Sequence, residues 1–426
     1  MAQPHLDVQT LQEAFAAAGT AKLPIAPGQD QGQLLELASQ APVVRLVDLM
    51  LQEAVERRAS DVHIETFEDR VLVRYRIDGV CYEVASPPKS LALAIASRVK
   101  ILASLDVAES RLPQDGRMLL ERSGRNVDLR VSTLPTVFGE SIVLRVLDKG
   151  AVSKTLTDLG MEPDMLEAIQ RLLAKPHGML LVTGPTGSGK TTTLYACLAG
   201  LNRPEVKVVT TEDPVEYDIA DFVQVAINAK IELDFSTSLR AILRHDPDII
   251  MVGEIRDGET ARVAVQAALT GHMVLSTLHT NDAPGAMTRL LDMGMEPFLV
   301  TSTVNAVIAQ RLVRRLCPSC CAPRRLDDAQ RAQLGLPAEE PGDSFMRAVG
   351  CEACHGLGFQ GRLGIFELFV PDEATRELVL GRSAASDLRH LARERGMHTL
   401  RDDGLRKARA GVTTIEEILR ETSDHA

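Results

Sequence analysis

The sequence of 426 residues contains no tryptophan, and aromatic residues together make up only 3% of it. Proteins that track along a polynucleotide combine a basic groove with aromatic rings on which bases stack. This chain has few rings and a formal net charge of -11 at pH 7. The composition therefore argues against a nucleic-acid partner.

Long apolar runs are also missing. Crossing a bilayer as a helix takes about 20 consecutive apolar residues, and no stretch approaches that length. The start of the sequence lacks the basic and apolar regions of a signal peptide. We therefore expect a cytoplasmic protein with no direct membrane insertion.

Cysteine is scarce, and four of the seven cysteines form two C-x-x-C pairs about 30 residues apart. In a reducing compartment such pairs indicate metal ligands or free thiols rather than disulfides. Four thiolates can surround Zn²⁺ tetrahedrally and leave no open position for water, so we predict a structural zinc site. Free thiols or a redox use are the alternative, and Cys321 and His355 are expected to be bystanders. The predicted ligands are Cys317, Cys320, Cys351 and Cys354.

The length predicts two or three domains. We place a short extension and linker at residues 1–40, an N-terminal α/β domain at 41–150, and a second domain at 151–426 that contains the zinc-binding element at about 315–356. In the first domain the pattern predicts an amphipathic helix from Val43, followed by a hairpin whose turn is Asp78-Gly79. In the second domain four apolar segments alternate with helical ones, which predicts a parallel sheet with strands at 178–183, 206–210, 249–253 and 273–277.

Residues 184–191 read GPTGSGKT and match the phosphate-binding pattern G-x-x-x-x-G-K-[ST] at every fixed position. Its glycines let several backbone N–H groups point at phosphates, the side chain of Lys190 can reach the β and γ oxygens, and the Thr191 hydroxyl can ligate Mg²⁺. We therefore predict a nucleoside triphosphate site. Its candidate residues are Gly184, Pro185, Thr186, Gly187, Ser188, Gly189, Lys190, Thr191 and Thr192.

Three polar residues follow predicted strands of the same sheet. Glu254 ends an apolar strand and is the first candidate for the carboxylate that polarises the attacking water. Glu212 could hold the metal or its water, and His279 could hydrogen-bond a γ-phosphate. The alternatives are a solvated acid, an ordinary turn before a proline, and a structural histidine.

Further segments complete a recognisable set: 111–117 (RLPQDGR), 130–135 (RVSTLP) and 361–368 (GRLGIFEL). Together with the phosphate loop, the acidic segments, the histidine segment and the paired cysteines, they resemble the type II secretion ATPases. The related type IV pilus assembly ATPases share most of the set. The resemblance runs from about residue 59 to the end of the sequence.

The resemblance implies an α/β fold in which a RecA-like P-loop NTPase domain, with a zinc-binding tetracysteine insertion, follows a smaller N-terminal α/β domain. It also implies a homo-hexameric ring with ATP between the two domains. Arg130 and Arg145 correspond to arginines that reach from the N-terminal domain toward the phosphates. Arg240 and Arg244 correspond to arginines that act around the site and the neighbouring subunit. For each arginine, an ordinary surface salt bridge is the alternative.

The function implied is that of a cytoplasmic ATPase whose ATP hydrolysis drives pseudopilus assembly, for type II protein secretion across the outer membrane. Such an enzyme needs Mg²⁺, and it associates peripherally with the inner membrane through a platform protein and the cytoplasmic domains of other membrane proteins. Two alternatives are type IV pilus extension and a DNA-uptake or regulatory nucleotide-binding component.

Overall fold

The computed structural model describes residues 31–122, 125–147, 154–334 and 345–423. Its internal contacts divide the chain into two compact units. Unit 1 takes in the chain up to residue 149 together with residues 317–320 and 348–360, and unit 2 comprises the rest. Residues 1–30 of the predicted extension lie outside the described residues, and residues 31–39 form a helix.

Unit 1 is built on a six-stranded sheet in the order β3-β2-β1-β6-β5-β4, in which every neighbouring pair is antiparallel. The predicted hairpin is confirmed, and the positive φ angles of Asp78 (49°) and Gly79 (86°) suit a type I′ turn. The strands are β1 (Asp61–Thr66), β2 (Val71–Ile77), β3 (Val80–Ala85), β4 (Gln114–Arg122), β5 (Arg125–Thr136) and β6 (Gly139–Leu147). The helices are α1 (Gln31–Ser39), α2 (Ala41–Glu56) and α3 (Ala92–Leu102).

One face of this sheet is apolar and carries the core of unit 1. Strand β2 alternates buried and half-buried residues, and its inward set includes Val73 and Tyr75. The apolar stripe of α2, including Met50, contributes to the same core. The Tyr75 hydroxyl donates to the Met50 carbonyl oxygen over 2.7 Å, so the one polar group of that ring is satisfied in the core.

An ion pair is buried in the same unit. Lys100 is 0% exposed, and its Nζ lies 2.5 Å from Glu140 Oε1. The same ammonium donates to the Glu109 carbonyl oxygen over 2.8 Å. A charge buried this deeply is tolerated because its partner and its hydrogen bonds replace the lost water. The pair thereby ties α3 to the loop before β4 and to the start of β6.

Unit 2 is built on a seven-stranded sheet in the order β15-β12-β7-β11-β10-β8-β9. Every pairing from β12 to β9 is parallel. The four predicted strands and their parallel arrangement are confirmed, whereas β9, β12 and β15 were not predicted. The strands are β7 (Gly178–Thr183), β8 (Val208–Glu212), β9 (Val223–Ala226), β10 (Ile249–Val252), β11 (Met273–Leu278), β12 (Val304–Leu316) and β15 (Phe359–Phe369), and β13 (Ala322–Arg324) pairs with β14 (Phe345–Arg347) in a small separate sheet.

Helices lie against both faces of the large sheet, so its central strands are buried on two sides. Met179 and Leu181 of β7 join one apolar cluster, and Leu180 and Val182 join another. Continuous apolar runs, rather than alternating ones, are the expected signature of such strands. The helices are α4 (Pro163–Leu173), α5 (Lys190–Leu201), α6 (Phe235–Ile242), α7 (Gly258–Leu269), α8 (Gly285–Asp292), α9 (Pro297–Thr303), α10 (Asp328–Gln333), α11 (Glu373–Leu380), α12 (Ala385–Glu394), α13 (Leu400–Arg409) and α14 (Ile415–Glu421).

Among the helices in the described part of the chain, none combines the length and the apolar character required to cross a membrane.

Replacing Lys100 by methionine should destabilise unit 1 strongly, because Glu140 would remain buried without its partner. The expected loss is about 3–5 kcal/mol in the free energy of unfolding. Urea-induced unfolding followed by circular dichroism measures it. The control is Arg171→Met, since Arg171 pairs with Glu167 at 3.8 Å on the surface, where both side chains are 71% exposed. Equal unfolding midpoints for the two variants would contradict the expectation.

Candidate functional site

The phosphate loop connects β7 to α5, as the sequence pattern predicts. Three of its glycines have positive φ: 148° at Gly184, 81° at Gly187 and 85° at Gly189. A Cβ at Gly184 would lie 2.5 Å from the Gln310 carbonyl oxygen, so no other residue fits there. The sequence therefore folds here into a tight turn that ends at the N-terminus of a helix, where backbone N–H groups favour an anion.

Lys190 is the buried cation of this loop. Its Nζ donates to the carbonyl oxygens of Gly184 (2.8 Å) and Pro185 (3.1 Å). Burial lowers the pKa of Lys190 to about 8, although the negative charge of Glu254 opposes that shift. A cation held in a loop by neutral carbonyl groups is prepared to exchange them for phosphate oxygens.

Ser188 supplies a second indication that the loop fits an anion. Its hydroxyl is buried and has no hydrogen-bond partner among the residues that the structure describes. Buried hydroxyl groups are nearly always paired, so this one fits a polar ligand. Thr186, Gly187 and Thr191 are exposed around it, and Thr192 is half-buried. The residues present therefore fit a nucleotide phosphate, and the Thr191 hydroxyl is placed at the start of α5 where a Mg²⁺ ligand is required.

Glu254 follows β10 at the carboxyl end of the sheet and has two cationic or protonatable neighbours. Arg256 Nη2 lies 2.5 Å from one of its oxygens, and His279 Nε2 lies 3.5 Å from the other. Burial raises the pKa of Glu254, but the hydrogen bonds and charges of Arg256 and His279 outweigh that effect and lower the pKa below its usual value. Glu254 is therefore ionised at neutral pH, and its charge is felt by Lys190. Arg256 was not predicted as a site residue.

Glu212 lies at the end of β8 and is 2% exposed. Its carboxylate accepts hydrogen bonds from the hydroxyls of Tyr195 and Thr210, the latter over 2.6 Å, and from Gln224 Nε2 over 3.1 Å. Tyr195 belongs to α5, so Glu212 links the helix after the phosphate loop to the sheet. The predicted metal or water role of Glu212 stays a prediction.

His279 and His272 lie at opposite ends of β11. His279 follows the carboxyl end and contacts Glu254. His272 precedes the strand, and its Nδ1 lies 2.9 Å from the Ala267 carbonyl oxygen. Only His279 is thus on the edge that carries the phosphate loop.

The four candidate arginines are placed in two groups. In unit 2, Arg240 Nη2 lies 2.7 Å from Glu259 Oε1, and Arg244 Nη1 donates to the Arg240 carbonyl oxygen over 2.8 Å. In unit 1, Arg130 and Arg145 are directly opposite each other on β5 and β6, and Arg145 Nε lies 3.0 Å from Asp61 Oδ1. Their roles toward phosphates stay predictions.

Two residues beside the phosphate loop were not predicted as site residues. Gln310 and Arg311 lie on β12 next to β7, and both are buried. Arg311 Nη2 donates to the Asn281 carbonyl oxygen over 3.2 Å, and its charge contributes to the low pKa of Lys190. The signal in the sequence is an amide and a guanidinium inside an otherwise apolar strand, where each polar group needs a partner.

The four predicted zinc ligands form one group in which all sulfur atoms lie within 4.8 Å of one another. Three Sγ–Sγ distances are 3.9 Å (Cys317–Cys351), 3.8 Å (Cys320–Cys354) and 3.8 Å (Cys351–Cys354). Zinc bound to four thiolates at about 2.3 Å requires tetrahedron edges of about 3.8 Å, so the group fits the ion. Cys321 and His355, the predicted bystanders, are not members of the group.

Backbone N–H groups surround these sulfurs. Gly350 donates to Cys320 Sγ over 3.3 Å, and Gly358 donates to Cys354 Sγ over 3.1 Å. Donors of this kind orient thiolate ligands and compensate part of their charge. The whole group belongs to unit 1 by its contacts, and Leu357 packs against the core of that unit. The predicted placement of this element within a domain at residues 151–426 stays a prediction.

Replacing Cys317 by serine should remove the bound metal and lower the thermal unfolding midpoint, because three thiolates complete the tetrahedral site less well. We expect about one zinc ion per chain in the parent protein and much less in the variant. Elemental analysis by mass spectrometry and differential scanning calorimetry measure the two effects. Cys321→Ser is the matched control and should keep its zinc; the structural-zinc prediction fails if both variants retain it.

Comparisons with known proteins identify a family and several relatives that this chain resembles. A family described as "Type II/IV secretion system protein" matches residues 36–420. Type II secretion system protein E of Pseudomonas aeruginosa is 53% identical over 392 residues, which cover 92% of this chain and 78% of that protein. Type II secretion system ATPase E of Vibrio cholerae is 50% identical over 391 residues, which cover 92% and 77%.

Two solved structures have a similar fold. The ATPase DotB of Legionella pneumophila has a TM-score of 0.65 at 21% identity, over 94% of this chain and 98% of that one. The pilus retraction motor PilT with bound ADP has a TM-score of 0.58 at 24% identity, over 89% and 97%. At these identities the likeness bears on the fold alone.

Proposed function

The chain belongs to the type II/IV secretion system protein family, and we propose that it is the ATPase that drives pseudopilus assembly for type II protein secretion. Relatives about half identical over 92% of the chain carry the names type II secretion system protein E and ATPase E. These names favour secretion over pilus extension, and over a DNA-uptake or regulatory component.

The observation that carries an ATPase function is the arrangement of Lys190, Glu254 and His279 at one edge of the sheet. Phosphoryl transfer needs a cation on the phosphates and a carboxylate that orients the attacking water. It requires little covalent chemistry from the protein. Lys190 is the cation, and Glu254, ionised and held by Arg256, is the carboxylate. A carboxylate that is fixed before the reaction begins loses little energy on reorientation.

We assign His279 to sensing the terminal phosphate. Its Nε2 lies 3.5 Å from Glu254, so the ring can respond to a change at that carboxylate. Thr191 would hold Mg²⁺, which neutralises phosphate charge when bound. Glu212 is proposed to hold the metal or its water, and its carboxylate also joins β8 to Tyr195 of α5.

We further propose that the chain works as a homo-hexamer at the cytoplasmic side of the inner membrane, bound there through a platform protein and the cytoplasmic domains of membrane proteins. Arg130 and Arg145 would contact the phosphates of ATP, and Arg240 and Arg244 would act around the site and a neighbouring subunit. A guanidinium contributes fully only when it reaches the phosphates, so domain closure would couple hydrolysis to motion.

Replacing Glu254 by glutamine should abolish most ATP hydrolysis while ATP still binds, because the amide is the same size but cannot orient or deprotonate water in the same way. We expect a loss of about 100-fold or more in kcat. Phosphate release by the purified chain measures hydrolysis, and calorimetry measures ATP binding. In a strain that lacks the parental gene, the variant should leave the secreted proteins inside the cell.

Glu296→Gln is the matched control, because Glu296 is an exposed acid that pairs with Arg382 at 3.7 Å. It should support both hydrolysis and secretion. Full hydrolysis by the Glu254 variant would refute the assigned carboxylate. Normal secretion by a variant that cannot hydrolyse ATP would refute the proposed motor function.

Nucleotide binding should take up protons at mildly alkaline pH. The pKa of Lys190 is about 8, and bound phosphates favour its charged form and so raise that pKa. At pH 8 the uptake should be about half a proton per site, and it should vanish below about pH 7 where Lys190 is already charged. Calorimetry of Mg-ADP binding in buffers of different ionisation enthalpy measures the uptake. Lys190→Arg should remove it, and equal uptake by that variant would contradict the assignment.

A further inference from the structure

We propose that Gln310 is a positioning residue of the phosphate loop, which holds the peptide between Ser188 and Gly189 so that its N–H group faces the phosphates of the nucleotide. The proposal rests on the proposed nucleotide-binding function and assigns part of it to a residue far away in the sequence. Gln310 acts through the loop and does not itself contact the nucleotide.

The Gln310 side chain bridges the two ends of the loop's final turn. Its Nε2 donates to the Ser188 carbonyl oxygen over 2.8 Å, and its Oε1 accepts from the Thr193 hydroxyl over 2.6 Å. The residue is 1% exposed, so water does not compete for either bond. A buried amide with both halves paired is rigid, and an unpaired carbonyl in its place would cost free energy.

This contact fixes the direction of an N–H group. The Ser188 carbonyl and the Gly189 N–H belong to one planar trans peptide, in which the two groups point in opposite directions. Gln310 lies on the β12 side of that peptide and occupies its carbonyl. The N–H is therefore directed away from β12, toward the interior of the loop where backbone N–H groups cradle phosphates.

The orientation of the Gln310 amide is also determined. A carbonyl oxygen can only accept, so the nitrogen of the amide must face Ser188 and the oxygen must face Thr193. The Thr193 hydroxyl then donates to that oxygen and keeps the amide from turning over. The bridge thus needs both side chains, one on β12 and one on α5.

Glycine makes room for the bridge. A Cβ at Gly189 would lie 2.9 Å from Gln310 Nε2, and one at Gly184 would lie 2.5 Å from the Gln310 carbonyl oxygen. In the phosphate-loop pattern these two glycines let the backbone come close to the phosphates. Here the missing Cβ atoms also leave room for Gln310 on the β12 side of the loop.

The same strand offers a matched control. Asn305 Nδ2 donates to the His177 carbonyl oxygen over 2.9 Å, just before β7 begins. Gln310 makes the equivalent bond to Ser188, in the loop that follows β7. Each amide thus joins β12 to the chain that flanks β7, but only Gln310 contacts the phosphate loop.

The experiment compares Gln310→Met with Asn305→Leu in the full chain, since each change replaces one amide donor by an apolar side chain. The dissociation constant of Mg-ADP is measured by calorimetry at pH 8 and pH 6, and the thermal unfolding midpoint is recorded for each variant. We expect Gln310→Met to bind Mg-ADP about tenfold more weakly at both pH values, because a phosphate loses a fixed N–H donor. Asn305→Leu should bind like the parent, and the proposal fails if Gln310→Met does so too.

A third variant supplies a pH signature that a purely structural role would not produce. In Gln310→Glu the ionised carboxylate cannot donate to the Ser188 carbonyl, whereas the protonated acid can. Burial favours the protonated form, so affinity for Mg-ADP should recover toward the parental value as the pH falls from 8 to 6. No recovery down to pH 5.5 would overturn the donor role.

If neither Gln310 variant folds, Thr193→Val carries the test, because it leaves Gln310 in place but removes the donor that orients its amide. Weaker Mg-ADP binding by this variant supports the bridge, and parental binding overturns it. The parent protein is measured first. If the parent does not bind Mg-ADP, the proposed function fails. If the parent binds Mg-ADP and only the variants bind it more weakly, the result bears on the role of Gln310 alone.

Discussion

The close approach of the phosphate loop to strand β12 is the constraint on which the site depends. At Gly184 the loop passes so near the Gln310 carbonyl oxygen that a single extra carbon would collide with it. This contact restricts the shape of the turn, which buries Lys190 and leads directly into α5. Among the described residues, the Ser188 hydroxyl in this turn has no hydrogen-bond partner. The electrostatics of the site follow from this geometry, because a lysine brought into the interior has a lower pKa and responds to charges around it.

Charges around Lys190 come from several elements of unit 2. Glu254 follows β10, His279 follows β11 and Arg311 lies on β12, so three strands bring charged or polar groups toward the strand that carries the loop. Parallel strands make this possible since their carboxyl ends share one edge of the sheet. A change of charge on the phosphates would be felt by all of these groups together, which is what a motor needs from its active site.

Local sequence patterns predicted the features that depend on residues adjacent in the sequence. The phosphate loop, Glu254 at a strand end and the two cysteine pairs each occupy a short segment with its own chemistry. Other features were not predicted, because each depends on a partner that is close in the folded structure but not in the sequence. These are Gln310 and the buried pair of Lys100 and Glu140. Strand β12 was missed because polar residues interrupt it, and that interruption is the feature that matters for the site.

The cysteine group bears on how the protein is divided into modules. Its two segments lie between strands of unit 2 in sequence, yet their contacts assign them to unit 1. Cutting the chain at residue 149 would therefore not yield a whole unit 1, since residues 317–320 and 348–360 would remain on the other fragment. In a chimera that takes its amino-terminal part from a relative, the cysteine segments would have to come from that same relative, because they pack with the amino-terminal part. Substitutions in the two cysteine segments are thus expected to covary with substitutions in the part of the chain before residue 149.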